Sequence, residues 1–257
     1  MELLELMRRL GELKDTARRG WVVRGVPPER AEDVAQHSFE VCSLSLLLSL
    51  ELEEGGRRLD VGKVLAMAVV HDWPEAITGD RLPSSPGKRE AEERALVKMV
   101  GDRAWGRRVV SLWREYAEGR TLEARVVHFA DGLSVLLQCL RCGGGRVPSR
   151  LEDLWGGVEE RLRGLLRGLP ELSGLFSQLR ELGPPATSRT SSSPTPPPPS
   201  PGGRSGGGAR GERGAGGRGA SPRGEGRGGA GRPSRVQGAR PSPPSPGRRR
   251  RRPGRTR

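Results

Sequence analysis

The sequence predicts an all-α fold, a helical bundle over residues 1–182 followed by a disordered basic tail over 183–257. Three observations carry this. Apolar residues recur at helical spacing through the first 182 residues, and no run alternates as a half-buried strand does. That part holds all five tryptophans and is rich in Leu and Val, enough for a compact core. From Gly183 onward the chain is almost entirely Pro, Gly, Ser, Arg and Ala, with Val236 its one large aliphatic residue. Such a segment has too little apolar surface to offset its chain entropy.

The elements follow in order. Leu3 to about Arg18 has apolar residues at 3, 6, 7, 10 and 13, one face of a helix. A loop from Gly20 to about Glu32 carries Pro27-Pro28. The next helix is expected from about Asp33 to Glu54, stopped by Gly55-Gly56. Asp60 can cap a following helix with apolar face 61, 64, 65, 68 and 69, running to Thr78-Gly79. After a Pro-rich loop, Leu82–Gly87, further helices fit 88–100, 102–118, 121–142, 150–167 and 171–182. These helices are expected to meet around one centre, with Trp105, Trp113 and Trp155 in the core.

Charge separates the two parts. The tail has 17 arginines against two acids, Glu212 and Glu225, which exceeds the whole chain's +14 and leaves residues 1–182 near neutral. The basic character therefore belongs to the tail and gives no reason to read the folded part as a nucleic-acid-binding domain. The Arg/Gly tail is either an RNA-binding segment of the RGG type or a silent extension. A single Ile, no Asn and Arg far above Lys point to GC-rich codons, which contribute to that composition. Three cysteines, 42, 139 and 142, are too few for a disulfide scaffold, and Cys139-Leu-Arg-Cys142 lacks the second pair of a zinc site. With no signal peptide and no apolar span, a cytoplasmic protein without a membrane partner is expected.

The chemistry concentrates on few residues. Only three histidines occur, 37, 71 and 128. His71-Asp72 sits in Val-Val-His-Asp-Trp-Pro-Glu-Ala-Ile-Thr-Gly-Asp, where an imidazole and a carboxylate at a helix end can splay around one cation. Helical spacing puts Glu75 on the face of His71, and Gly79 can turn Asp80 back toward it. His37 shares a stripe with Val41, Leu44 and Leu48, and Asp131 shares one with Ala124, Val127 and Val135. An unpaired carboxylate on a core face is costly, and a cation removes the difficulty. Two His and two Asp make a mixed N/O set suited to Mn, Co, Fe or Zn rather than Ca. His128, three residues before Asp131, is expected to be structural or packed behind the ligands.

Over about residues 8–140 the sequence resembles the HD-domain superfamily of metal-dependent phosphohydrolases, and within it the 5′-deoxynucleotidase branch. The likeness rests on Gly20-Trp21-Val22-Val23-Arg24-Gly25-Val26, Ala35-Gln36-His37-Ser38, the His71–Asp80 block and Phe129-Ala130-Asp131. It implies His37, His71, Asp72 and Asp131 as metal ligands, and Glu75 and Asp80 as catalytic or substrate-positioning acids. It implies an Arg and a Trp of the first loop as phosphate and sugar contacts: Arg18 or Arg19, with Arg24 a further candidate, and Trp21. The family usually has an acid just before the first His; this chain has Gln36. The implied reaction is hydrolysis of (deoxy)nucleoside 5′-monophosphates. The alternatives are action on a cyclic nucleotide or a nucleoside triphosphate, a non-catalytic metal-binding protein, and nucleic-acid binding through the tail. A nucleotide substrate and a second copy of the chain, as a homodimer, complete the expected partners.

Overall fold

The computed structural model describes residues 1–185, so the expected disordered tail lies, but for its first three positions, outside the described residues. In chain order the helices are α1 (Leu3–Gly11), α2 (Arg19–Val22), α3 (Val34–Glu54), α4 (Val61–Val70) and α5 (Glu75–Thr78). They continue as α6 (Lys88–Val100), α7 (Ala104–Glu118), α8 (Leu122–Cys142), α9 (Glu152–Leu165) and α10 (Ser173–Glu181). Among the described residues the extended pairing is confined to one isolated antiparallel bridge, Ala17 with Asp33. The all-α expectation holds.

The helices begin where the side chains can satisfy their free N–H groups. Asp33 and Gln36 close a capping box on α3: the Gln36 N–H donates to Asp33 Oδ1 at 2.7 Å, and the Asp33 N–H to Gln36 Oε1 at 3.1 Å. Asp60 caps α4 through the Lys63 N–H, and Thr121 caps α8 through that of Ala124. α3, α4 and α8 pack against one another and form the middle of the fold, and α9 lies along α8.

Five expectations need correction. The helix from Leu3 stops at Gly11 and tightens into one 3₁₀ turn, Glu12–Lys14. Beyond it the backbone turns to a different partner: Val34 N–H donates to the Thr16 carbonyl at 2.9 Å and Arg18 N–H to that of Glu32 at 3.3 Å. The loop after it contains the short helix α2. The helix from Asp60 does not reach Thr78 but breaks over residues 71–74. Pro74 has no N–H for the Val70 carbonyl and its ring crowds that turn; the Trp73 N–H takes the carbonyl instead, at 3.2 Å. Finally, the apolar interior forms two clusters rather than one, with Val34 in one and Val41 in the other. His37 lies between them in sequence and is fully buried. Trp113 and Trp155 are core residues, whereas Trp105 is 38% exposed.

Candidate metal centre

The break at Pro74 shapes the centre. His71 sits just past the last turn of α4, where carbonyls lack helical partners. Its Nδ1 lies 2.8 Å from the Ala68 carbonyl, and its own carbonyl accepts from the Trp113 indole N–H at 3.0 Å. The ring is thereby fixed with Nε2 pointing inward. Tyr116 packs edge-on against it, with ring centroids 5.5 Å apart. His37, on the first turns of α3, is held through Nδ1, 3.2 Å from Ser134 Oγ and 3.6 Å from Glu32 Oε1.

The inward-facing atoms converge. His71 Nε2 lies 3.1 Å from Asp72 Oδ2; His37 Nε2 lies 3.2 Å from Asp131 Oδ1 and 3.8 Å from Asp72 Oδ2. Ligand atoms of His37, His71 and Asp72 fall within 4.8 Å of one another. Both Nε2 atoms are buried and make no hydrogen bond. Two unpartnered imidazole nitrogens facing two carboxylates fit a divalent cation, which satisfies all four at once. Burial opposes ionisation of Asp72, yet His71, Arg18 and His37 hold its carboxyl well below the usual range. Asp131 is held down in the same way, against burial, by Arg161 and His37. Burial and Arg18 oppose protonation of His37, but Asp131 and Glu32 outweigh them and raise its pKa.

A cavity of about 830 Å³ opens onto His71, Asp72 and Asp131 and reaches most of the other predicted residues. The structure separates Arg18 from Arg19. Extended backbone at Arg18 sends its guanidinium inward to Asp72 Oδ2 at 3.2 Å, while Arg19 is exposed and offers its backbone N–H to the Asp80 carboxylate. Gly79, at φ +65°, turns the chain so that Asp80 can meet that N–H. Arg24 lines the cavity with Nη1 on the Gly20 carbonyl. Trp21 reaches the lining with only 2% of its surface exposed, its indole N–H donating to Glu32 Oε1 at 3.1 Å. Glu75 is buried; its Oε1 meets Lys88 Nζ at 3.3 Å and its Oε2 has no hydrogen-bond partner. Burial, with Asp72 and Asp80 nearby, pushes Glu75 up to about 9 against the pull of Lys88 and Arg18. His128 stacks on Tyr116, with Nε2 2.8 Å from the Tyr116 carbonyl, and stays outside the convergent set.

Several residues escaped the sequence reading. Glu32, 5% exposed, bridges Trp21 and His37. Ser134 touches His37 and donates to Glu40 at 2.7 Å. Lys88, which the sequence does place near the site together with Arg81, sits between Glu75 and Glu92, 3.3 Å from each. Arg161 of α9 reaches Asp131 Oδ2 at 3.3 Å. Gln36, where the family usually has an acid, is occupied in the α3 capping box. A larger groove, about 1240 Å³ and lined by Lys14, Phe39, Glu40 and Arg141 among others, includes none of the four convergent residues.

Known proteins resemble this chain in sequence and in fold. The HD-domain family model matches residues 10–163. A 5′-deoxynucleotidase of Dictyostelium discoideum is 31% identical over 158 residues, 58% of this chain and 81% of that protein. One of Xenopus laevis is 28% identical over 187 residues, 70% of this chain and 86% of that protein. Among solved structures, a conserved hypothetical protein from Pyrococcus furiosus is 31% identical with a TM-score of 0.62, covering 69% of this chain and 99% of that one. With a family match across more than half its length and an interior His/Asp cluster, the chain belongs to the HD-domain family of metal-dependent phosphohydrolases.

Proposed function

We propose that the chain hydrolyses nucleoside 5′-monophosphates, the deoxy forms in particular, to nucleoside and phosphate, with His37, His71, Asp72 and Asp131 holding one divalent cation. The observation that carries this is the pair of buried, unpartnered Nε2 atoms facing two carboxylates at a cavity. The names of the relatives from Dictyostelium and Xenopus support the substrate class. The two-nitrogen, two-carboxylate set suits Mn, Co, Fe or Zn. When bound, such a cation supplies Lewis-acid activation of the phosphoryl group and of water.

The protein's own groups do the rest. Arg18, inside the cavity beside Asp72, neutralises phosphate oxygens, with Arg24 further along the wall. Glu75 moves the proton between water and the leaving oxygen, its unpartnered Oε2 available for the task. Asp80 orders the Arg18–Arg19 segment through the Arg19 N–H and is the alternative proton acceptor. Trp21 closes the wall next to the sugar and keeps Glu32 on His37. Lys88, already engaged by Glu75, Glu92 and the Arg81 carbonyl, has few donors left for a polyphosphate, which favours a monophosphate over a triphosphate.

The catalytic unit is assigned to residues 1–182 and the low-complexity segment 183–257 to a separate part. Any nucleic-acid binding by that segment weakens steeply with salt. The enzyme is taken to act as a cytoplasmic homodimer; among the described residues no helix is long and apolar enough to cross a membrane. The test is phosphate release from a panel of deoxy- and ribonucleotides by metal-stripped protein with single metals restored. Release from deoxynucleoside monophosphates is expected, and its absence with every mononucleotide refutes the reading.

A further inference from the structure

Arg161 lies on α9, beyond the segments whose motifs point to the site, yet its guanidinium lines the same cavity as Asp72 and Asp131. α9 reaches there because of a glycine. Gly132 follows Asp131 on α8, and a Cβ built on it would fall 2.6 Å from Leu162 Cδ2 and 3.4 Å from Arg161 Nη2. The absence of a side chain at 132 lets the two helices approach closely, with Leu162 buried in the contact and Arg161 beside it at the cavity.

The ion pair at this point has a counterpart. Asp131 turns Oδ1 to His37 Nε2 at 3.2 Å and Oδ2 to Arg161 Nη2 at 3.3 Å. Across the centre, Asp72 Oδ2 lies 3.1 Å from His71 Nε2 and 3.2 Å from Arg18 Nη1. Each carboxylate of the centre therefore stands between an imidazole and a guanidinium. Of the other cations that line the cavity, Lys88 is held by Glu75 and Glu92, Arg24 and Arg81 donate to the Gly20 and Pro86 carbonyls, and Arg89 is exposed; Arg18 and Arg161 are the two that reach the carboxylates of the centre. A guanidinium has five N–H donors, and the Asp131 contact engages one nitrogen of Arg161, whose side chain is 45% exposed.

We infer that Arg161 is a second phosphate-binding residue, which with Arg18 grips the substrate's phosphate from two sides of the metal centre. A phosphate monoester carries close to two negative charges at neutral pH. It would enter beside the carboxylates of Asp72, Asp131 and Asp80, and a guanidinium on the Asp131 side offsets charge that Arg18, on the Asp72 side, leaves. Two guanidinium groups, each already pinned to a carboxylate, present donors in fixed directions with little further ordering required. The inference rests on the nucleotidase reading for the identity of the phosphate ester.

The experiment separates the two products of that reaction as ligands. Inorganic phosphate and a deoxynucleoside are titrated by calorimetry, without turnover, into Mn²⁺-saturated wild type, R161Q and R161K. Loss of a charge-assisted contact should weaken phosphate binding by R161Q about tenfold or more. Deoxynucleoside binding should be unchanged, metal content should stay near that of wild type, and R161K should recover part of the phosphate affinity. Equal phosphate binding by wild type and R161Q overturns the assignment, as does loss of deoxynucleoside binding instead. If R161Q binds less metal and excess Mn²⁺ restores full phosphate affinity, Arg161 merely holds Asp131 and the inference fails. A wild type that binds phosphate through Arg161 but releases none from any mononucleotide would sink the nucleotidase reading and leave the phosphate site standing.

Discussion

Glu75 gives the metal-free protein a pH-dependent weakness whose size follows from its surroundings. Its side chain is buried, and burial together with Asp72 and Asp80 raises its pKa from 4.5 to about 9. An acid whose folded pKa is raised favours the folded state while it holds its proton. Its contribution is complete below pH 4.5 and is lost as pH rises toward 9. Across this window the folded chain holds one proton more than the unfolded chain at this site, so stability falls by about 1.4 kcal/mol per pH unit. From pH 5.5 to 7.5 the loss is up to about 3 kcal/mol, or roughly 5–10 °C in Tm for a domain of this size. Asp72 and Asp131 do not blur the measurement, because depressed carboxylates change stability only below their ordinary pKa of 3.8. His37, with a raised pKa, adds a loss of the same sign above its ordinary 6.5, and it is common to wild type and variant.

Glu75→Gln isolates the acid. The amide keeps the shape and an oxygen for Lys88 but has no proton to lose. Metal-stripped wild type and E75Q are melted between pH 5.5 and 8.5, with residual metal checked by elemental analysis. The gap in Tm should open in favour of E75Q as pH rises and should shrink when saturating Mn²⁺ is added, because a cation at Asp72 opposes the charge that raises Glu75. Parallel curves for the two proteins would show that Glu75 ionises freely in the folded state and that its burial has been misjudged.

The other expectations concern the centre itself. His71→Ala and Asp72→Ala should each lose the bound metal measured by elemental analysis, since each removes one of the atoms converging within 4.8 Å; full retention by both would refute the ligand set. His128→Gln should keep at least about a tenth of the turnover while His37→Gln loses nearly all, a general acid–base or ligand role being worth about 10²–10⁴ and a packing role far less; the reverse ranking would put the wrong histidine at the metal. With saturating Mn²⁺, Glu75→Gln should retain metal and fold but lose about 10²–10⁴ in turnover, read as phosphate released from deoxynucleoside monophosphates. If Asp80→Asn shows that loss and Glu75→Gln does not, the proton passes through Asp80.

What the sequence discloses about the centre, it discloses through cost. His37 and Asp131 stand out because they interrupt apolar stripes, and the structure buries Val41, Leu48, Ala124, Val127 and Val135 around them. The choice between Arg18 and Arg19 carries no such signal. Two adjacent arginines have the same chemistry, and the decision is made by the Ala17–Asp33 bridge and the extended backbone at Arg18, which are tertiary facts. Glu32 is hidden for a related reason: it lies in a loop without periodicity, and its burial depends on an indole eleven residues upstream. Arg161 depends on the close approach that Gly132 allows, and a glycine inside a helix does not announce what packs on it.

Glu75 shows how a correct neighbour can be reached by a wrong route. Helical spacing from His71 predicts one continuous face, yet α4 ends at Val70 and α5 begins at Glu75. Pro74 was the signal for that break, since it removes the donor for the Val70 carbonyl. The break is what the chemistry requires. A continuous helix would satisfy the Ala68 carbonyl from the Asp72 backbone N–H, and the His71 ring would lose the anchor that fixes Nδ1. It would also bury the His71 carbonyl in the helix rather than leave it to Trp113. The proline thus ends one helix at His71 and Asp72 and starts the next at Glu75, placing the two proposed ligands and the proposed proton carrier on the two sides of a single turn. Replacing Pro74 with Ala would restore the donor and remove the ring clash. It should therefore lower metal affinity more than it lowers stability, and equal metal binding by the variant would show that the turn is held by Trp113 and Tyr116 alone.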